Sequence, residues 1–148
     1  METLDAIKTR RSIRGFTKKD VSEKLLRKII EAGMRAPSSK NTQPRHLMIL
    51  EGKKKDAVVN IVEEYEPKRK KIYRKGKKTK PSILPSCTLT KEAPVLILVF
   101  NKAPYTRGEK NVIKDCDYES MLARTVEVQS VAAAIQNMLL AIHDIGLG

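Results

Sequence analysis

The chain has 148 residues, and its 30 Lys and Arg against 17 Asp and Glu give a formal net charge of +13. A hydrophobic content of 41% over this length supplies the core of one domain, 1–148, and excludes a disordered polyelectrolyte. The longest uninterrupted apolar runs, Pro94 to Phe100 and Val131 to Ile135, fall short of the ~20 residues of a membrane helix, and the first twelve residues hold no signal-like apolar core, so no membrane span and a cytoplasmic location are expected.

Leu4 and Ile7, three residues apart, predict a short helix from Thr3 to about Thr9. Asp20 or Ser22 can cap a second helix running to about Arg35, with Leu25, Leu26, Ile29 and Ile30 as its buried stripe, and Pro37 ends it. His46 to Leu50 reads as a strand, and a third helix follows from about Lys53 to Tyr65. From Lys68 to Lys80 nine of thirteen residues are Lys or Arg, and without them the remaining 21 basic residues exceed the 17 acidic ones by only four. Self-repulsion, with Gly76, Pro81 and Pro85, predicts a basic, mobile insertion over 66–91. This run could serve a non-catalytic module that binds nucleic acid or another polyanion, but Tyr73 is its only aromatic residue, so no row of base-stacking platforms is present and nucleic acid is not the expected partner.

Val95 to Phe100 is a run of branched aliphatics ending in an aromatic, which predicts a strand buried on both faces at the centre of a sheet. Asp117 to about Ile145 predicts a helix of about 43 Å whose second half is apolar around most of its circumference. A lone domain this small struggles to bury such a helix, so another layer of the fold or a second subunit is expected to cover it, with Ala132, Ala133 and Ala134 permitting close backbone approach, and a dimer is the expectation. The sequence stops at Gly146-Leu147-Gly148, where a C-cap glycine hands a helix on to its next element, and it is expected to be part of something longer. Cys87, expected on a loop, Cys116, His46 and His143 stand far apart, so no metal site is expected and both thiols are expected to be reduced.

Two stretches carry candidate chemistry. In Arg10-Arg11-Ser12-Ile13-Arg14, extended backbone would place Arg10, Ser12 and Arg14 on one face, offering two guanidinium forks and a hydroxyl to a phosphate. The competing reading has these cations complement the negative end of the first helix. In Ala36-Pro37-Ser38-Ser39-Lys40-Asn41-Thr42-Gln43-Pro44, prolines bracket a polar loop whose side chains both donate and accept, as recognition of a heteroaromatic ring edge requires. The competing reading is a turn that bonds its own backbone.

RRSIRGF, APSSKNTQP, EAPVLILVF and AIQNMLLAIHDIGLG, in that order over essentially the whole chain, resemble the flavin-dependent nitroreductase family. The resemblance implies an α+β homodimer with helices around a mainly antiparallel sheet, a long buried helix at the interface, and FMN in clefts between subunits. It implies that Arg10, Arg11, Ser12 and Arg14 hold the FMN phosphate and the polar rim of the flavin. Pro37, Ser38, Ser39, Asn41 and Gln43 would reach the flavin from the partner. Arg14 would stabilise the negative charge that reduced flavin gains. Hydride would pass from NADH or NADPH through flavin N5 to a nitroaromatic, quinone, enone or related small acceptor. No side chain is assigned as a catalytic base or nucleophile. Family chains usually continue past the GLG motif into a strand and a final segment, which this sequence lacks. The family also includes dehalogenases, flavin-destroying enzymes and oxidases of peptide-linked rings, with substrate choice expected within 66–91.

Overall fold

Capping residues and prolines set the first element boundaries. In the computed structural model, which describes residues 2–73, 82–104 and 118–148 and only the backbone of 68–73, 119 and 120, Ser22 occupies the N-cap of α2 (Glu23–Met34) and Arg35 its C-cap. It follows α1 (Thr3–Thr9) and precedes a 3₁₀ turn at Ser39–Asn41, β1 (Arg45–Glu51), α3 (Gly52–Tyr73), α4 (Leu84–Glu92), β2 (Val95–Asn101) and α5 (Tyr118–Asp144). The strands form a two-stranded antiparallel ladder, prolonged by the Lys102 N–H, which donates to the Pro44 carbonyl at 2.6 Å. The class is α+β, as expected.

The chain forms two compact units. The first comprises Met1–Ser12, Ser22–Met48 and Leu98–Gly148, and the second Ile13–Val21 and Ile49–Ile97. In the first, α1, α2 and the 3₁₀ turn all pack on α5. Leu26, Ile29 and Gly33 form the buried stripe of α2, while Glu23–Arg27 and Glu31–Arg35 pair on its exposed side, worth a few tenths of a kcal/mol each. Gly33 allows the close approach, because a Cβ there would stand 2.8 Å from Met138 Cγ; Ala134, fully buried, lies beside it. Asn137 Nδ2 donates to the Ala32 carbonyl across the same contact.

In the second unit α4 packs on α3 and is held at both ends. Buried Glu66 accepts from Ser82 Oγ and the Ile83 N–H at the start of α4, and buried Lys55 Nζ donates to the Lys91 and Ala93 carbonyls at its end. An acid at the N-terminus and a cation at the C-terminus both complement the helix dipole.

Several expectations are corrected. Cys87 is buried on α4 rather than on a loop, because Pro85 sits in the first helical turn, where its missing N–H costs nothing. The stretch 66–91 is helical at both ends. The third helix runs past Tyr65 to Tyr73, with Pro67 inside it, and α4 fills 84–92. Residues 74–81, and Cys116 with the rest of 105–117, lie outside the described residues. β2 is half-buried rather than buried on both faces, and among the described residues it pairs with β1 alone. In α1 the buried residue is Ala6, whereas Leu4 and Ile7 are exposed. By length and composition alone, Met121–Asp144 is apolar enough to cross a membrane, with mean hydropathy 1.3; counting uninterrupted runs missed it because isolated polar residues interrupt an apolar segment.

Candidate cofactor site

Beyond Thr9 the chain leaves α1 in extended conformation at Arg10, whose N–H closes the helix on the Ala6 carbonyl. Residues 10–16 form neither helix nor strand. The Arg11 guanidinium turns back, Nη1 donating to the Lys8 and Arg10 carbonyls at 2.9 Å each. For Arg11 this is the helix-end role of a cation at the negative pole. Arg10, Ser12 and Arg14 make no side-chain hydrogen bond or ion pair among the described residues, so their donors are available. Arg10 is half-buried, Ser12 is exposed, and Arg14 is exposed in the second unit.

The bracketed loop is built from left-handed backbone. Lys40, Asn41 and Gln43 have φ of 47°, 53° and 45°, a conformation costly for residues with side chains unless the surroundings impose it. Here they do. Ser38 Oγ accepts from the Gln43 N–H at 2.9 Å, the Ser38 and Ser39 carbonyls accept from the Asn41 and Thr42 N–H groups, and Gln43 Nε2 donates to Asn41 Oδ1. The Ser39 N–H donates to Ser130 Oγ, which fastens the loop to α5. Pro37, Asn41 and Gln43 are exposed, and Ser38 and Ser39 half-buried. The loop thus bonds its own backbone, yet Asn41 Nδ2 and Gln43 Oε1, a donor and an acceptor, stay unpaired among the described residues.

Both stretches sit against α5, but at separate places. The loop meets it at Ser130, and Thr9, next to Arg10, meets it at His143. Thirteen residues of helix separate these contacts, roughly 20 Å. Thr9 and the loop therefore touch α5 well apart along its length. α5 also carries Met121, Val128, Ile135 and Leu139, all exposed, at the i, i+7 and i+11 spacings that line up along a helix, on a face away from Ser130 and one turn before His143.

Sequence reasoning gave no role to several polar residues around these stretches. Arg45, 3% exposed, donates through Nη2 to the Met34 carbonyl at the end of α2, while its Nε and Nη1 have no partner among the described residues. Glu127, 1% exposed, accepts from Asn101 Nδ2 at 3.1 Å. The chain's amino terminus, by hydrogen bond and then by charge, holds the Asp144 carboxyl below its ordinary value. Nothing in the local pattern marks these residues, because their partners lie far off in sequence.

A model of the nitroreductase family matches residues 7–148. The chain belongs to the nitroreductase family. It is 31% identical over its full length to a Methanothermobacter thermautotrophicus protein provisionally named NADH dehydrogenase/NAD(P)H nitroreductase, covering 59% of it. Over 89% of the chain it is 31% identical to the iodotyrosine deiodinase of Hydra vulgaris, covering 50% of that protein. This nitroreductase-family chain thus spans between half and three-fifths of these two relatives. Among solved structures, a BluB-like flavoprotein from Clostridium difficile superposes with a TM-score of 0.72 at 27% identity, over 99% of this chain and 71% of its own. A Desulfovibrio desulfuricans protein, provisionally a nitroreductase and solved in complex with FMN, gives 0.64 at 29% identity, over 97% of this chain and 63% of its own.

Proposed function

We propose that this nitroreductase-family chain is the flavin-holding part of an FMN-dependent homodimeric oxidoreductase, which passes hydride from NADH or NADPH through flavin N5 to a nitroaromatic, a quinone or a related small acceptor. The observation that carries this reading is that Thr9, at the root of the basic strip, and the polar loop contact one helix thirteen residues apart, roughly 20 Å along it, while the same helix exposes an apolar stripe of Met121, Val128, Ile135 and Leu139. A second copy seated on that stripe covers it and lets the strip of one protomer meet the loop of the other. The names of relatives and the FMN complex of one neighbour support the same reading.

The free groups fit the cofactor. Arg10 and Ser12 offer unpaired donors to a phosphate, and Arg14, two residues on, adds a second free guanidinium able to stabilise negative charge on a reduced ring. Arg11 steadies the helix end from which they emerge. Pro37, Ser38 and Ser39 hold the loop's shape, while Asn41 and Gln43 present an amide donor and an amide acceptor to a ring edge. When bound, FMN supplies the hydride chemistry, and the protein's part is placement, charge and exclusion of water.

The test is reduction of the purified protein loaded with FMN. Retained yellow flavin, bleached anaerobically by NADH or NADPH and restored by a quinone, is the expected result; a folded protein that retains no FMN contradicts the reading.

A further inference from the structure

The last turns of α1 and α5 meet at one polar contact. Thr9 Oγ1 donates to the Asp5 carbonyl at 2.6 Å, which commits its only proton, and the same oxygen lies 2.8 Å from His143 Nε2. His143 Nε2–H is therefore the donor. The next residues after Thr9 are Arg10, Arg11 and Ser12, so the position of this turn sets where those side chains start. α1 has seven residues, too few to be helical by itself, and Ala6 is its only buried side chain.

We propose that His143 is a positioning residue for phosphate recognition: through the Thr9 hydroxyl it pins the end of α1 to α5 and so holds Arg10 and Ser12 where they grip the phosphate of the flavin nucleotide. This rests on the FMN reading above and assigns a residue to it. His143 touches neither phosphate nor ring, and acts through Thr9 and the backbone that follows.

The experiment is a pair of titrations, with FMN and with riboflavin, which has the same ring and no phosphate. They are run on the wild-type chain, His143→Leu, His143→Gln and Thr9→Val, with urea midpoints as the folding control. His143→Leu and Thr9→Val should each weaken FMN about tenfold, the worth of one hydrogen bond, and leave riboflavin unchanged. His143→Gln, which keeps an N–H donor at similar reach, should recover most of the loss. The double variant should bind FMN no more weakly than either single one. An unchanged FMN affinity in His143→Leu overturns the proposal, as does an equal loss for both flavins, which would show general loosening. A folded wild-type chain that binds neither flavin overturns the FMN reading itself, and this inference with it.

Discussion

A lysine only 5% exposed is tolerable when its ammonium is fully employed, and Lys55 donates to two carbonyls at the end of α4. Replacing it by Met keeps the apolar stem and orphans both acceptors, so Lys55→Met should destabilise the fold by about 1–3 kcal/mol in urea unfolding. A change within a few tenths of zero would show that water satisfies those carbonyls. At Gly33 two effects oppose. Helix propensity favours alanine by about 1 kcal/mol, whereas its methyl would meet Met138 Cγ at 2.8 Å against a well-buried side chain. The contact should win, and Gly33→Ala should lower stability by about 1–2 kcal/mol; a stabilised variant would mean that Met138 swings aside freely.

Asp144 gives a pH dependence of definite sign. Its folded value lies below the ordinary 3.8, so its contribution is present above that value and lost as pH falls through the lower, folded one. The stability difference between wild type and Asp144→Asn should therefore shrink as unfolding is measured at successively lower pH below 3.8. A difference that grows on acidification would contradict the assignment. Residue-level features of this kind were illegible in the sequence. His143, Glu127 and Arg45 have partners 134, 26 and 11 residues away, and no periodicity encodes such pairings.

At the scale of elements, legibility followed local signals. α2 matches its expected span because its apolar stripe and the proline after it act within a few residues of one another, whereas α1 matches in span although Leu4 and Ile7 are exposed. α4 was missed because two prolines and a high charge density read as a breaker, although proline in a first turn starts a helix. Both candidate stretches could be picked out by residue type, but their backbone geometry could not. Arg11 follows the competing helix-end reading of the basic strip, while extended backbone at Arg10 was the condition on which the other reading stood. The most telling element is α5, whose apolar circumference was plain in the sequence and whose exposed stripe was not assignable until the contacts of α1, α2 and the loop with it were seen. Val128→Glu on that stripe should weaken self-association about thirtyfold or more in sedimentation velocity, with FMN affinity falling alongside. A variant that stays dimeric would place the interface elsewhere.

For the molecule as a whole, the account depends on each flavin being held by two chains. The decisive measurement mixes two variants, one with Arg10→Ala and Arg14→Ala, the other with Asn41→Ala and Gln43→Ala. Each homodimer should bind FMN weakly, because every one of its sites has one damaged side. A heterodimer pairs the intact strip of one chain with the intact loop of the other, so unfolding and co-refolding an equal mixture should create one site of wild-type affinity per heterodimer. Flavin fluorescence titration of the separated heterodimer would count it. One tight FMN per heterodimer is the predicted result; no tight site, with heterodimer formation verified, would mean that the strip and the loop do not close on the same cofactor from two subunits.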